Sequence, residues 1–203
     1  MGAFEDMKNL NHPKKGSHIS VEPIRRQKDI KLIKKILQDS PRNLCLFILG
    51  INTNLRASDL LKIKVEQVRH LQPGEEISLK EKKTQKQRRI NLNRACIEAI
   101  QNLLKSIKYE DDGFLFQSNR KDKHALTVSS LSTLVKKWCK DINLKGNYAS
   151  HTLRKTWGYH QRVTFGVGIP ELMVCFNHTS QKQTLDYLCV QPEEIKNVYQ
   201  NEL

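Results

Sequence analysis

The sequence predicts a mainly α-helical domain with one small antiparallel β-sheet. Apolar residues recur at helical spacing through most of the chain, whereas alternation of apolar and polar residues is concentrated between about residues 63 and 92. The length of 203 residues fits one domain that can bury a core. Residues 1–20 offer little to bury, so we expect a flexible basic N-terminal arm before a domain at residues 21–203.

The first two predicted helices lead to an arginine in a turn. Residues 26–38 carry apolar side chains at helical spacing, and Ser40-Pro41 supplies a cap and first-turn proline for a second helix. This second helix is apolar nearly all round, so we expect it to be central. Asn54 favours a turn after it, and Arg56 precedes a third, short helix.

The middle of the chain predicts the sheet. Residues 62–68, 76–80 and 89–92 alternate and are expected to be short strands, with a turn at Pro73-Gly74. Residues 82–89 form a strongly basic hairpin tip. Such a tip is also typical of an ordinary solvated loop.

The second half predicts a series of capped helices. Asn93 and then Thr127 or Ser129 are expected to start two of them. The remaining helices are predicted at residues 151–165, 169–176, 181–190 and 192–200.

The composition indicates a polyanionic partner. Lys and Arg number 35 and Asp and Glu 21, which gives a net charge of +14. This excess favours nucleic acid over a membrane surface. No apolar run approaches the roughly 18 residues of a membrane-spanning helix, and residues 1–5 have no apolar core like that of a secretory signal.

The cysteines predict a reducing compartment. They form no CxxC pair and lie among apolar or helical neighbours, so we expect buried, reduced thiols in a cytoplasmic protein. The five are Cys45, Cys96, Cys139, Cys175 and Cys189.

The segment His151-Thr152-Leu153-Arg154 gives the first indication of chemistry. Positions three apart share a helical face, so His151 and Arg154 can point to one spot. A guanidinium binds phosphate oxygens through a planar fork of donors, and an imidazole exchanges protons near neutral pH. The pair alone is equally typical of an ordinary helix N-terminus.

Four segments together resemble the tyrosine recombinase (phage integrase) family over about residues 22–200. Residues 53–61, TNLRASDLL, resemble its first arginine box, and residues 83–92, KTQKQRRINL, its β-hairpin lysine segment. Residues 151–156, HTLRKT, are similar to its HxxR box. Residues 176–180, FNHTS, with Tyr187 nine residues after the histidine, resemble its last box. The resemblance implies the DNA breaking-rejoining fold of the family's catalytic domain.

The resemblance also implies a site-specific DNA recombinase that acts through a 3′-phosphotyrosine intermediate. The implied catalytic residues are Arg56, Lys83, His151, Arg154, His178 and Tyr187. Tyr187 would be the nucleophile, and Tyr199 lacks the spacing from His178. The two arginines and His178 would bind the phosphate, while His151 and Lys83 would move protons. The Lys-Thr pair favours Lys83 over Lys82 and Lys86.

The implied partners are double-stranded DNA, further copies of the chain in a tetramer, and possible accessory DNA-bending or directionality proteins. We expect nucleoid association, no membrane contact and no cofactor. We also expect no metal, since the sequence has no HxxxH, CxxC or paired-carboxylate box that would hold one. The helix at residues 192–200 is expected to dock on a neighbouring subunit or, equally, to pack on its own domain.

Two departures from the family leave alternatives open. Asn54 and Asn177 stand where the family usually has glycine, but Asn tolerates positive φ, so we expect both turns to survive. The alternatives are a catalytically impaired DNA-binding module and a type IB topoisomerase. Larger members carry an N-terminal domain that clamps DNA, so the chain resembles the catalytic-domain-only members or a fragment.

Overall fold

The computed structural model describes residues 21–80, 87–118, 124–188, 199, 200 and 202. The predicted arm at residues 1–20 and most of the predicted helix at residues 192–200 lie outside the described residues, as do Lys82, Lys83, Lys86 and Cys189. The described part is mainly helical with one two-stranded antiparallel sheet, which confirms the predicted fold class.

Apart from the strand predicted at residues 62–68, the described elements follow the predicted order. They are α1 (Gln27–Ile36), α2 (Pro41–Asn52), α3 (Ala57–Leu60), β1 (Glu76–Lys80), β2 (Gln87–Asn91), α4 (Arg94–Ser106), α5 (Val128–Asp141), α6 (Ser150–Val163), α7 (Ile169–Phe176) and α8 (Gln181–Leu188). Among the described residues, no helix is long and apolar enough to cross a membrane.

Capping residues set several helix starts. Asn93 Oδ1 accepts the Cys96 backbone N–H at 3.0 Å before α4, and Thr127 Oγ1 accepts the Ser130 N–H at 3.1 Å before α5. Ser40 occupies the position before α2, but its side chain makes no capping hydrogen bond. The first-turn proline, whose φ suits a helix, therefore marks that start.

Helix α2 lies in the larger core, as its apolar sequence predicts. It packs against both α4 and α6, and the fully buried Phe47 meets Trp138 edge to face with ring centroids 5.9 Å apart. Gly50 permits the close approach of α6, because a Cβ there would lie 2.5 Å from Leu153 Cδ1. The helix that carries the HxxR segment is thus fixed to the core.

The sheet is a single hairpin. Its antiparallel register pairs Ile77 with Ile90, and Ile77 is buried. The strand predicted at residues 62–68 is wrong. The Val65 N–H bonds the Gly113 carbonyl at 2.9 Å, and Gln67 Oε1 accepts the Lys64 N–H at 2.8 Å, so the chain forms an isolated bridge and a 3-10 turn there.

The cysteines match the prediction in part. Cys45, Cys96 and Cys139 are buried free thiols, but Cys175 is exposed. Its exposure follows from helical geometry, because the buried face of α7 is formed by positions 172 and 176.

A second, smaller core supports helices α7 and α8. Leu172, Phe176 and Leu188 are its buried members, and α7 and α8 pack on each other and on α6. Gly158 of α6 makes this packing possible, because a Cβ there would lie 2.4 Å from Phe176 Cζ and 2.7 Å from Leu188 Cδ2. The predicted residues of the last box are therefore held against α6.

Candidate active site

Helix α6 brings His151 and Arg154 into its first two turns. Thr152 Oγ1 accepts the Ala149 N–H at 3.1 Å and closes the first turn. His151 is exposed, whereas Arg154 is 4% exposed. Arg154 Nη2 donates to the Phe176 carbonyl oxygen at 3.1 Å. A buried guanidinium needs such bonds, and this one fixes the orientation of the group.

Arg56 stands directly before α3, after the turn that contains Asn54. Asn54 is buried with a φ of 53°, and Asn177 has a φ of 56° at the end of α7. The expectation that both asparagines preserve their turns is therefore confirmed. Asn54 Nδ2 also donates to the Cys175 carbonyl oxygen at 2.8 Å. This bond ties the Arg56 turn to α7.

The positive charges of Arg56 and Arg154 lower the pKa values of both His151 and His178. Burial lowers the pKa of His178, and the positive charges of Arg154 and Arg56 lower it further. Part of His151 is open to solvent, yet burial of the rest lowers its pKa, as do the charges of Arg154, Lys155 and Arg56. Because such effects decay with distance, these side chains form one cationic cluster.

Phe176 is the centre around which this cluster assembles. The guanidinium carbon of Arg154 lies 5.3 Å from the Phe176 ring centroid, and the His178 ring stacks on Phe176 at 5.1 Å with an interplanar angle of 16°. The rings of Tyr187 and Trp157 meet Phe176 at centroid distances of 5.0 and 5.5 Å. From sequence alone, Phe176 looks like an ordinary core residue, so its role was missed.

Tyr187 lies beside the predicted histidine. It is half-buried, and its ring centroid is 5.3 Å from that of His178. Two further side chains complete this region. Thr184, fully buried, places Oγ1 3.0 Å from His178 Nδ1, and Lys155 places Nζ 5.1 Å from the Tyr187 ring centroid. Neither was predicted from the sequence, although Thr184 shares a helical face with Tyr187 three residues on.

The β1–β2 hairpin also contacts the end of α7, beside this site. Arg88 of β2 donates through Nη2 to the Cys175 carbonyl oxygen at 2.8 Å. That oxygen also accepts from Asn54. Lys83, the residue predicted on this hairpin, lies outside the described residues. The structure thus brings together Arg56, His151, Arg154, His178 and Tyr187, and it anchors the strand that follows Lys83 to α7.

The chemistry of the site is that of cations beside a phenol. In the part of the chain that the structure describes, no group of three or more His, Cys, Asp or Glu residues could hold a metal ion. The nearby Asp59 is buried, and its Oδ1 accepts from Ser58 Oγ at 3.3 Å. The cluster can bind an anion such as a phosphate diester and present a hydroxyl oxygen to it.

Comparison with known proteins supplies an independent view. The model of the phage integrase family matches residues 25–194. The chain is 32% identical over 182 residues to the probable integrase/recombinase YoeC of Bacillus subtilis (strain 168), covering 88% of this chain and 95% of that protein. It is also 32% identical over 172 residues to the tyrosine recombinase XerC of Caldanaerobacter subterraneus subsp. tengcongensis. That match covers 80% of this chain but 47% of XerC, so the chain spans about half of this relative.

A solved structure shares the fold. The chain superposes with a TM-score of 0.70 and 18% identity on the XerH site-specific recombinase bound to its palindromic difH substrate in a post-cleavage complex. The alignment covers 93% of this chain and 55% of XerH.

Proposed function

The chain belongs to the phage integrase family of tyrosine recombinases, and we propose that it cuts and rejoins double-stranded DNA at specific sites through a covalent bond between Tyr187 and a 3′-phosphate. The observation that carries the proposal is that the charges of Arg56 and Arg154 act on both His151 and His178, and that the His178 ring lies 5.3 Å from the Tyr187 ring. The fold shared with a DNA-bound recombinase supports DNA as the partner.

The arginines are proposed to bind the scissile phosphate. As Tyr187 Oη forms its bond to phosphorus, the bond to the 5′-oxygen breaks and negative charge builds on the non-bridging oxygens. Arg56 and Arg154 each offer several N–H donors and keep their charge throughout. Because Arg154 already bonds the Phe176 carbonyl, its guanidinium is held in place before DNA arrives.

Two proton transfers accompany the exchange. His151 has a lowered pKa, so it is neutral at pH 7 and can take the proton of the Tyr187 phenol. Lys83 is proposed to protonate the leaving 5′-oxygen. His178 is proposed to donate a hydrogen bond to the phosphate from Nε2. In a neutral imidazole this requires the Thr184 hydroxyl to donate to Nδ1 at 3.0 Å rather than to the Ser180 carbonyl oxygen at 3.4 Å.

Capture of the adduct tests this function. Random-sequence duplexes are incubated with the protein, and DNA that stays attached in denaturant is recovered and sequenced. Trypsin then separates the candidate nucleophiles, because cleavage after Lys182 and Lys196 gives one peptide with Tyr187 and another with Tyr199. We expect the adduct on the Tyr187 peptide, and a 5′ end that a polynucleotide kinase labels without prior phosphatase treatment.

Matched variants complete the test. Tyr187→Phe should bind DNA without forming an adduct, whereas Tyr199→Phe should still form it. DNA binding without any adduct in the unmodified chain would favour the impaired-module alternative. Relaxation of plasmids that lack the recovered sequence would favour the topoisomerase alternative. An adduct on any other residue would overturn the assignment.

The net charge of +14 should make DNA binding depend on phosphate contacts, so log K should fall by about 0.9 per phosphate neutralised as log salt rises.

We further propose that the chain acts as a homotetramer on DNA. Deleting residues 191–203 should impair strand exchange more than DNA binding if this segment docks on a neighbour. Equal loss of both would indicate that it packs on its own domain.

A further inference from the structure

Lys155 is an unusual residue in the smaller core. It follows Arg154 on α6 and is 6% exposed, although lysine is rarely buried without a compensating contact. Its ammonium nitrogen lies 5.1 Å from the centroid of the Tyr187 ring, within the range of a cation–π interaction. The contact joins the HxxR helix to the helix of the proposed nucleophile.

We propose that Lys155 is a positioning residue for Tyr187 that also stabilises the negative charge developing on its phenol during DNA cleavage and rejoining. This inference depends on the proposed role of Tyr187. A neutral phenol attracts the ammonium through its ring quadrupole, and the attraction grows as the proton leaves, because phenolate charge spreads into the ring. Only an interaction that strengthens in the transition state accelerates the reaction.

The same charge acts in both directions. In cleavage, Tyr187 Oη bonds phosphorus, the phenol proton passes to the proposed base His151, and the 5′-oxygen leaves with a proton from the proposed acid. In rejoining, the 5′-hydroxyl attacks phosphorus and gives its proton back to the proposed acid, the Tyr187 Oη–phosphorus bond breaks, and the departing phenolate regains its proton from His151. The ammonium of Lys155 faces the Tyr187 ring in both steps, so its loss should slow both.

Few other charged side chains lie near the Tyr187 ring among the described residues. The turn before α8 presents His178, whose ring centroid is 5.3 Å away, and α6 also presents Arg154, which lies over Phe176 instead. The remaining charged residues of α7 and α8 are exposed, namely Glu171, Lys182 and Asp186. Lys155 is therefore the buried cation that faces the nucleophile's ring among the described residues.

The test compares Lys155→Met, which keeps an apolar stem but loses the charge, with Lys155→Arg, which keeps the charge. Lys105→Met removes an equal charge at an exposed position of α4 and serves as the control. Single-turnover cleavage and rejoining on the recovered DNA site are measured from pH 6 to 10. We expect Lys155→Met to slow both steps about 10-fold across this pH range. Lys155→Arg should retain most activity.

A more acidic nucleophile separates charge from packing. Fluorinated tyrosine at position 187 ionises more readily, so it should restore much of the rate lost in Lys155→Met while changing the unmodified chain little. If Lys155→Met does not fold, Lys155→Gln carries the same comparison. An unchanged rate and pH profile, or a slow variant that fluorotyrosine does not rescue, would overturn the inference. Failure of the unmodified chain to form the Tyr187 adduct would instead count against the proposed function.

Discussion

Gly158 offers a direct test of how the smaller core controls the site. In Gly158→Ala, the new Cβ would meet Phe176 Cζ at 2.4 Å, which is 1.0 Å short of the 3.4 Å at which ordinary van der Waals contact begins. Phe176 is fully buried and Leu188 is 2% exposed, so neither has free space to enter. The Phe176 ring, or α7 as a whole, must therefore move by about 1 Å.

The cost to the fold should be small. Overpacking a core typically costs about 1–3 kcal/mol, while alanine in place of a helical glycine returns about 1 kcal/mol. The net loss of about 0–2 kcal/mol should lower the melting temperature by only a few degrees in a domain of this size. DNA binding should change little, since Gly158 is buried.

The cost to cleavage should be much larger. Phe176 supplies the carbonyl that holds Arg154, and its ring supports His178 and Tyr187. A displacement of about 1 Å in reacting groups can reduce a rate about 100-fold. Single-turnover cleavage should therefore fall by about that factor.

The control is Ile100→Val in α4, which should cost about 0.5–1.5 kcal/mol away from the site. This variant should cleave at nearly the normal rate. The reasoning is refuted if Gly158→Ala cleaves normally, or if both variants lose activity in proportion to their lost stability.

Three further predictions concern individual groups. Thr184→Val should slow cleavage about 10-fold and Thr184→Ser much less, as measured on the recovered site, because the hydroxyl orients His178. The pKa values of His151 and His178 are lowered in the folded state. The free energy of unfolding should therefore be highest above the unfolded-state pKa of about 6.5 and should fall as the pH drops towards the folded-state pKa values. Urea unfolding at pH 7.5 and 5.5 measures this loss, which His178→Gln should reduce. Lys83→Ala should be nearly inactive on normal DNA but rescued when sulfur replaces the bridging 5′-oxygen, whereas rescue of Lys86→Ala would shift the assignment by three residues.

Local signals in the sequence were sufficient for most of the fold. Asn93 and Thr127 satisfy orphan N–H groups of the helices that follow, so their positions mark helix starts whatever the tertiary structure. The alternation around Ile77 likewise predicted the hairpin. Residues 62–68 alternate as well, but there a glutamine side chain and the Gly113 carbonyl take the backbone hydrogen bonds, and no local pattern reports such partners.

The site was predicted where its residues have recognisable spacing and missed where tertiary packing decides. His151, Arg154 and Tyr187 belong to motifs that can be read from the sequence. Lys155 appears there as one more surface cation, and Phe176 as one more core aromatic. Their relation to Tyr187 depends on how α6, α7 and α8 meet, which helical periodicity does not specify.

The end of α7 explains why segments far apart in sequence converge. Asn54 and Arg88 both donate to the Cys175 carbonyl oxygen, and Arg154 donates to the next carbonyl, that of Phe176. The last carbonyls of a helix lack intrahelical partners and carry the negative end of its dipole, so amide and guanidinium donors are stabilised there. The arginine turn, the hairpin and the HxxR helix thus share one pair of acceptors. A glycine at position 54, which the family usually has, would permit the same φ but could not make this bond. Asn54 therefore adds a direct link between the arginine turn and α7.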